Sequence, residues 1–365
     1  ALRYDLKAGS FREAWEEFIP SLKDSVHAKK EYFENCGNCN LREDCHWCPV
    51  YAYLEHGRFS DKVDYLCEIA KETQRYKGEW RSSHIRYYQI AGITIRVSAD
   101  FAFNQDTFDP KFTKFQISEP GGDIITLHHV LNIPQMSDLS LGEEIYHHPP
   151  WAIFQNKNSY TYIGIPPENL NAEMRVEAIY NKPHTKGIIF HDKSFKNTRG
   201  LISLSSFVSD QTLLARVLAD REGYYLHASG IIIDGKGYLF VGHSGAGKST
   251  MLKMLREEGE ILCDDRMIVR RWPEGFRIHG TWSHGELPDV SPANAALCAV
   301  FYIEQAKNTS LSPIENPKDH LKKVLPYIVK PLQTPDWWEK TLDTIEKFTD
   351  EVPAFHLKFN LSGDV

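Results

Sequence analysis

The sequence predicts an α/β (α+β) protein in three parts: a small helical, cysteine-rich module over 1–77, a mostly β domain over 78–205 and an α/β domain over 206–365. Three observations predict it. Five of the seven cysteines crowd between Cys36 and Cys67. Short alternating apolar runs replace helical spacing after Arg86, and a glycine-rich loop stands between a strand and a helix at Gly242 to Thr250.

With 365 residues, 42% of them hydrophobic and 25% charged, the chain is long enough for two or three domains with a proper core. Its formal net charge of -7 and pI of about 6.2 offer a polyanion no attraction, so nucleic acid is not an expected partner. No apolar run approaches the roughly 20 residues of a membrane helix, and a cytoplasmic protein is expected. Ala1 to Lys30 is acidic and amphipathic, without the basic start and apolar middle of a secretory signal. Because the first residue is Ala, either the initiator was removed or upstream sequence is missing. In a reducing compartment, clustered thiols usually hold metal instead of pairing as disulfides.

Taken in order, Phe11, Trp15, Phe18 and Ile19 recur at helical spacing, and Val63 to Tyr76 restores it after the cysteines. Ile93, Ile95 and Val97, then Ile124, Ile125 and Leu127, read as strands punctuated by Gly, Pro and Asn. Asp210 is placed to cap a helix through Leu218 that ends near Gly223. Gly230 to Ile233 and Tyr238 to Val241 form a hairpin across Asp234-Gly235-Lys236-Gly237. Strands follow at Ile261 to Cys263, Met267 to Arg270, Phe276 to Ile278 and Leu297 to Ile303, then helices at Pro317 to Val329 and Asp336 to Phe348. Trp337-Trp338 reads as core or interface packing, and the pairs His128-His129 and His147-His148 carry no assigned role.

The loop Gly242-His243-Ser244-Gly245-Ala246-Gly247-Lys248-Ser249-Thr250 is a complete GxxxxGKS with an apolar strand before it and a helix after it. Glycines let successive N–H groups turn inward around phosphate oxygens, and the helix start adds partial positive charge. Lys248 would reach the β and γ phosphates of ATP and Ser249 would offer its hydroxyl to Mg2+. The plain alternative is a glycine-rich turn that binds nothing. Downstream, Cys263-Asp264-Asp265-Arg266 ends a short strand. Two adjacent acids there can divide their labour, one holding magnesium and one accepting a hydroxyl proton.

Together, His227, the loop and the Asp264-Asp265-Arg266 triplet resemble HPr kinase/phosphorylase over about His227 to Ile268. The resemblance implies an HPr-kinase-like P-loop core, related to phosphoenolpyruvate carboxykinase, and ATP-dependent phosphoryl transfer to a serine or threonine hydroxyl. It also implies Asp264 as the base, Asp265 beside Lys248 and the magnesium, and His227 bordering the reacting phosphate. The family's later Glu-x-Arg-Gly stretch is absent as such; Arg277-Ile278-His279-Gly280-Thr281 stands nearest, and His279, His284 and Glu286 could line an acceptor pocket or touch magnesium. The chain therefore looks closer to divergent HPr-kinase-like proteins found with peptide-modifying gene clusters, which act on a peptide or small-molecule acceptor. Relatives of this fold often form rings, so a homo-oligomer is one expected state. Two rival readings stand beside the kinase: carboxykinase-like or ATPase chemistry, and a nucleotide-binding regulatory or docking module for a radical SAM partner.

Cys36-x2-Cys39-x5-Cys45-x2-Cys48, with Cys67 on a following helix, has a thiolate density that suits tetrahedral zinc or an iron-sulfur cluster. The segment resembles the C-terminal part of a SPASM domain of radical SAM peptide-modifying enzymes. That resemblance implies a 4Fe-4S cluster on Cys36, Cys39, Cys45 and Cys67, with Cys48 matching a ligand of a second cluster whose other ligands this chain lacks. No CxxxCxxC radical SAM motif is present.

Overall fold

The structure, a computed structural model, describes residues 3–167, 173–193, 201–205, 207, 210–332 and 336–360. The chain separates into two units, 1–83 and 84–365. The expected module boundary at 77 falls inside the helix Asp64–His84.

In the first unit, Ser10 starts the helical stretch through a reciprocal cap: its hydroxyl accepts from the Glu13 N–H, and the Glu13 carboxylate accepts from the Ser10 N–H. Helices Ile19–His27, Pro49–His56 and Asp64–His84 follow. A proline opens the second of these, and Gly57, at φ 73°, ends it in the left-handed conformation that favours glycine. Ala52, Val63 and Leu66 make one small core cluster with Cys45 and Trp47 against it.

The second unit contains two large mixed sheets. The first is built from β1 (Ile85–Ile90), β2 (Ile93–Ala99), β3 (Gln116–Ile117), β4 (Ile124–Val130), β5 (Glu143–His148), β6 (Trp151–Gln155), β7 (Ser159–Gly164), β8 (Arg175–Asn181) and β9 (Lys186–Phe190). Their order is β3-β1-β2-β4-β9-β8-β7-β6-β5. The β2–β4 and β4–β9 pairs are parallel and their neighbours antiparallel. Inward positions alternate as the sequence predicts: Ile93, Ile95 and Val97 are fully buried. β4 contains the expected Ile124, Ile125 and Leu127; Ile124 is exposed, and the core face is Ile125, Leu127 and His129.

The second sheet holds β10 (Gly223–Ile233), β11 (Lys236–Val241), β12 (Glu260–Cys263), β13 (Arg266–Trp272), β14 (Gly275–His279), β15 (Asn294–Gln305), β16 (Ser310–Pro313) and β17 (Ala354–Phe359). The order β11-β10-β13-β14-β15 closes on itself, because β11 also pairs parallel with β15; β17 continues parallel from β15. β10 and β11 are longer than expected, leaving a two-residue turn of Asp234 and Gly235, both at positive φ. Helices Gln211–Ala219 and Trp337–Glu351 pack on this sheet. The Trp337 indole is buried and donates to the Ala215 carbonyl at 2.9 Å, while Trp338 is exposed, so only the first of the pair is core.

Candidate functional site

β11 delivers the glycine-rich loop, and the helix Lys248–Met254 leaves it. Gly247 has to be glycine: its φ is 100°, and an added Cβ would lie 2.6 Å from the Phe359 ring on β17. Lys248 is almost wholly buried and folds back, its ammonium donating to the carbonyls of Gly242 at 2.9 Å and His243 at 3.2 Å. Burial pushes its pKa down, and Asp265 and, more weakly, Asp264 oppose that shift. His243, Ser244 and Gly245 are exposed, Ala246 is buried, and Thr250 is half-buried in the helix.

The acid pair caps the end of β12. Asp264 is 3% exposed. Its carboxylate accepts from Ser249 Oγ at 3.0 Å, from the Gly285 N–H at 2.6 Å and from the Leu287 N–H at 2.9 Å. Asp265 stands differently. Its side chain is 27% exposed, and its neighbours are Arg266 Nε at 3.3 Å, Ser283 Oγ at 3.5 Å and His227 Nδ1 at 3.6 Å. Of the two acids, Asp264 is thus the sequestered one and Asp265 the more open.

His227 and Arg266 are 39 residues apart in sequence and sit directly opposite each other on β10 and β13. An Arg266 guanidinium N–H donates to His227 Nδ1 at 3.0 Å, so that nitrogen is an acceptor and the ring proton lies on Nε2. Burial lowers the His227 pKa, with Lys248 and Arg266 adding to the effect and Asp265 opposing it. A neutral imidazole flanked by two cations results.

The loop that carries His284 and Glu286 also holds the acids in place, through groups that the sequence did not single out. Thr281 Oγ1 donates to the Arg266 carbonyl at 2.6 Å, and the Cys263 thiol lies 2.9 Å from the Ser283 carbonyl. The Cys263 sulfur also accepts from the N–H groups of Asp265 and Arg266. Burial pushes that thiol up to about 12, which makes it a structural anchor instead of a nucleophile. Trp282, fully buried, donates its indole N–H to Asp210 at 3.1 Å. Asp210 is therefore not the expected side-chain cap of its helix. It sits at φ 53° and accepts from Leu204 N, Ser205 N, Ser205 Oγ and Trp282, because its carboxylate turns inward to the segment before it. Burial raises its pKa to about 6 against those hydrogen bonds.

Of the three other polar residues considered for an acceptor pocket, His284 and Glu286 ride exposed on this loop, Glu286 lying 3.7 Å from Lys253. His279 points elsewhere. It is buried, accepts from the Trp272 indole at 3.1 Å, and lines a cavity of about 730 Å³ that includes Lys114, Glu260 and Arg277 but none of the glycine-rich loop.

In the first unit, Cys36, Cys39, Cys45 and Cys67 line one cavity of about 200 Å³ with His27 and Lys62, and Cys48 is not among its walls. Burial pushes the Cys36 thiol up to about 11, reinforced by Cys67, Cys39 and Cys45; Cys67 is raised as well. Among the described residues, no group of three or more His, Cys, Asp or Glu side chains stands in a metal-holding arrangement.

A basic loop, two acids, an imidazole and a guanidinium at one end of the second sheet invite comparison with known proteins. Residues 193–365 match the model of the family described as SynChlorMet cassette protein ScmC. That span is a little under half of the chain and takes in the whole candidate site. Among solved structures, the Hpr(Ser) kinase/phosphatase from Coxiella burnetii is similar at 12% identity, over 38% of this chain and 86% of that one, with a TM-score of 0.23. A likeness of that degree adds no weight to the geometry. No curated protein matches the chain. Among the described residues, no helix is long and apolar enough to cross a membrane.

Proposed function

We propose that the chain is an ATP-dependent kinase that moves the γ phosphate to a hydroxyl of a peptide, protein or small molecule within a modification pathway. One observation carries the reading: the serine of the glycine-rich loop is bonded to one of two adjacent acids, the other acid is partly open to solvent, and the loop's buried lysine feels the charge of both. Phosphoryl transfer needs positioning and charge stabilisation more than covalent chemistry, and those groups supply both. In this reading Lys248 leaves the Gly242 and His243 carbonyls for phosphate oxygens. The loop's N–H groups then cradle the same phosphates. The oxygen donors of Ser249 and Asp264, already hydrogen-bonded to each other, fit a hard cation, and Mg2+ bound there would neutralise phosphate charge. His227 and Arg266 border the reacting end. The match to a cassette protein family supports work beside other enzymes of one pathway.

The test is incubation with Mg2+, ATP and candidate peptides, read by mass spectrometry. A phosphorylated acceptor is the expected product. Phosphate release with no modified acceptor would favour the hydrolytic or carboxykinase-like reading instead. In the first unit, four thiols line one cavity, and drawing them together on zinc or a 4Fe-4S cluster would supply the charge that lets such raised thiols ionise. The exposed Trp15, Leu54, Tyr76 and Trp80 favour a second role for this unit, docking a partner such as a radical SAM enzyme.

A further inference from the structure

We propose that Asp265, and not Asp264, takes the proton from the acceptor hydroxyl, while Asp264 serves Ser249 and the metal side of the site. The assignment rests on the nucleotide reading above and divides the acid pair within it.

Asp264 already has its bonding committed. Oδ1 accepts from Gly285, and Oδ2 accepts from both Leu287 and Ser249. A proton arriving on either oxygen would face an existing donor and break a bond in a buried place, where an orphaned N–H costs about 1–3 kcal/mol. Its link to the loop serine matches the general arrangement in which a strand-end Asp and the loop Ser or Thr share the metal.

Asp265 is the reverse. Its contacts to Arg266, Ser283 and His227 lie between 3.3 and 3.6 Å, at or beyond the edge of hydrogen bonding, and part of its carboxylate faces solvent. His227 does not occupy it, because the Nδ1 lone pair already accepts from Arg266. The acceptor O–H bond breaks and its proton passes to Asp265. The freed oxygen forms a bond to the γ phosphorus, and the bond from that phosphorus to the β–γ bridging oxygen breaks, its electron pair leaving on ADP.

The test compares Asp265→Asn, Asp264→Asn and Ser249→Ala in the full chain. It uses a non-hydrolysable ATP analogue for binding and water as the acceptor hydroxyl for phosphate release. In Asp265→Asn, analogue binding and its dependence on Mg2+ should persist within roughly twofold while phosphate release falls about 100-fold or more. Asp264→Asn and Ser249→Ala should instead weaken the Mg2+-dependent part of binding by about tenfold or more; Ser249→Ala guards against misfolding of the buried acid. The assignment is overturned if Asp265→Asn loses Mg2+ dependence as fully as Asp264→Asn, or keeps its turnover. A native chain that binds the analogue yet transfers phosphate neither to water nor to an added peptide hydroxyl would leave no proton for Asp265 to take and would overturn the assignment. A native chain that binds no nucleotide would sink the kinase reading itself, a separate result.

Discussion

Between Arg3 and Ser83 the chain buries few hydrophobic side chains, chiefly Val26, Tyr32, Ala52, Val63, Leu66 and Ala70, whereas β2 alone buries Ile93, Ile95, Val97 and Ala99 completely. The first unit turns Phe11, Trp15, Leu54, Tyr76 and Trp80 outward; the second folds Trp282, Tyr224, Tyr225 and Phe348 inside. Apolar burial contributes about 25 cal/mol per Å², and ordering a residue costs about 1.5 kcal/mol, so a core that small does not stabilise a helical unit by itself. Such units are usually stapled by metal or by a partner surface. The contrast teaches that the cysteines and the exposed aromatics of the first unit belong to one energetic problem. The second unit needs no staple and can keep polar groups in its interior for use.

The sharpest way to break this contrast is at the loop. Lys248→Ala should lower any phosphoryl transfer by about 100-fold to 1,000-fold while leaving both units folded, as circular dichroism and turnover together would reveal. Next, a strong chelator, or Cys36→Ala with Cys67→Ala, should render residues 1–83 protease-sensitive and leave the second unit's melting unchanged. Persistence of a protected first unit without metal would undo the staple. Smaller is Trp282→Phe, which removes one donor from buried Asp210 and should cost about 1–3 kcal/mol in urea unfolding of the second unit alone.

A further test of the same contrast concerns pH. His129 is buried, with Nδ1 at 2.8 Å from His191 Nε2 and Nε2 at 3.1 Å from the Leu204 carbonyl; burial pushes the two rings down to about 3 and about 4. Both folded values lie below the ordinary 6.5, so between pH 6.5 and about 4 the unfolded chain binds more protons. The stability these rings contribute is present above pH 6.5 and declines as pH falls, by up to about 1.4 kcal/mol per histidine per pH unit. Thermal melts from pH 7 to 5 should follow that slope, and His129→Gln should flatten it.

What was legible in the sequence was local. The loop from Gly242 to Thr250 announced itself because strand, glycines, lysine, serine and helix are contiguous, and β2 announced itself through strict alternation. The cysteines that line one cavity were grouped by spacing and resemblance. The division of the acid pair was not legible: Gly285 and Leu287 donate to Asp264 from 21 and 23 residues away through backbone N–H groups that any residue carries. β17 escaped for a related reason. Ala-Phe-His-Leu-Lys-Phe is weakly patterned, and its place beside β15 is a distant parallel pairing. Asp210 had the right residue type for a helix cap, but a buried indole N–H competed for the same carboxylate.

The loop from Thr281 to Leu287 grips Asp264 through peptide N–H groups and not through side chains. Substitutions at His284 or Glu286 can therefore rewrite what the rim presents without moving the carboxylate beneath it. Such separation leaves the rim free to vary while the buried carboxylate keeps its two peptide donors.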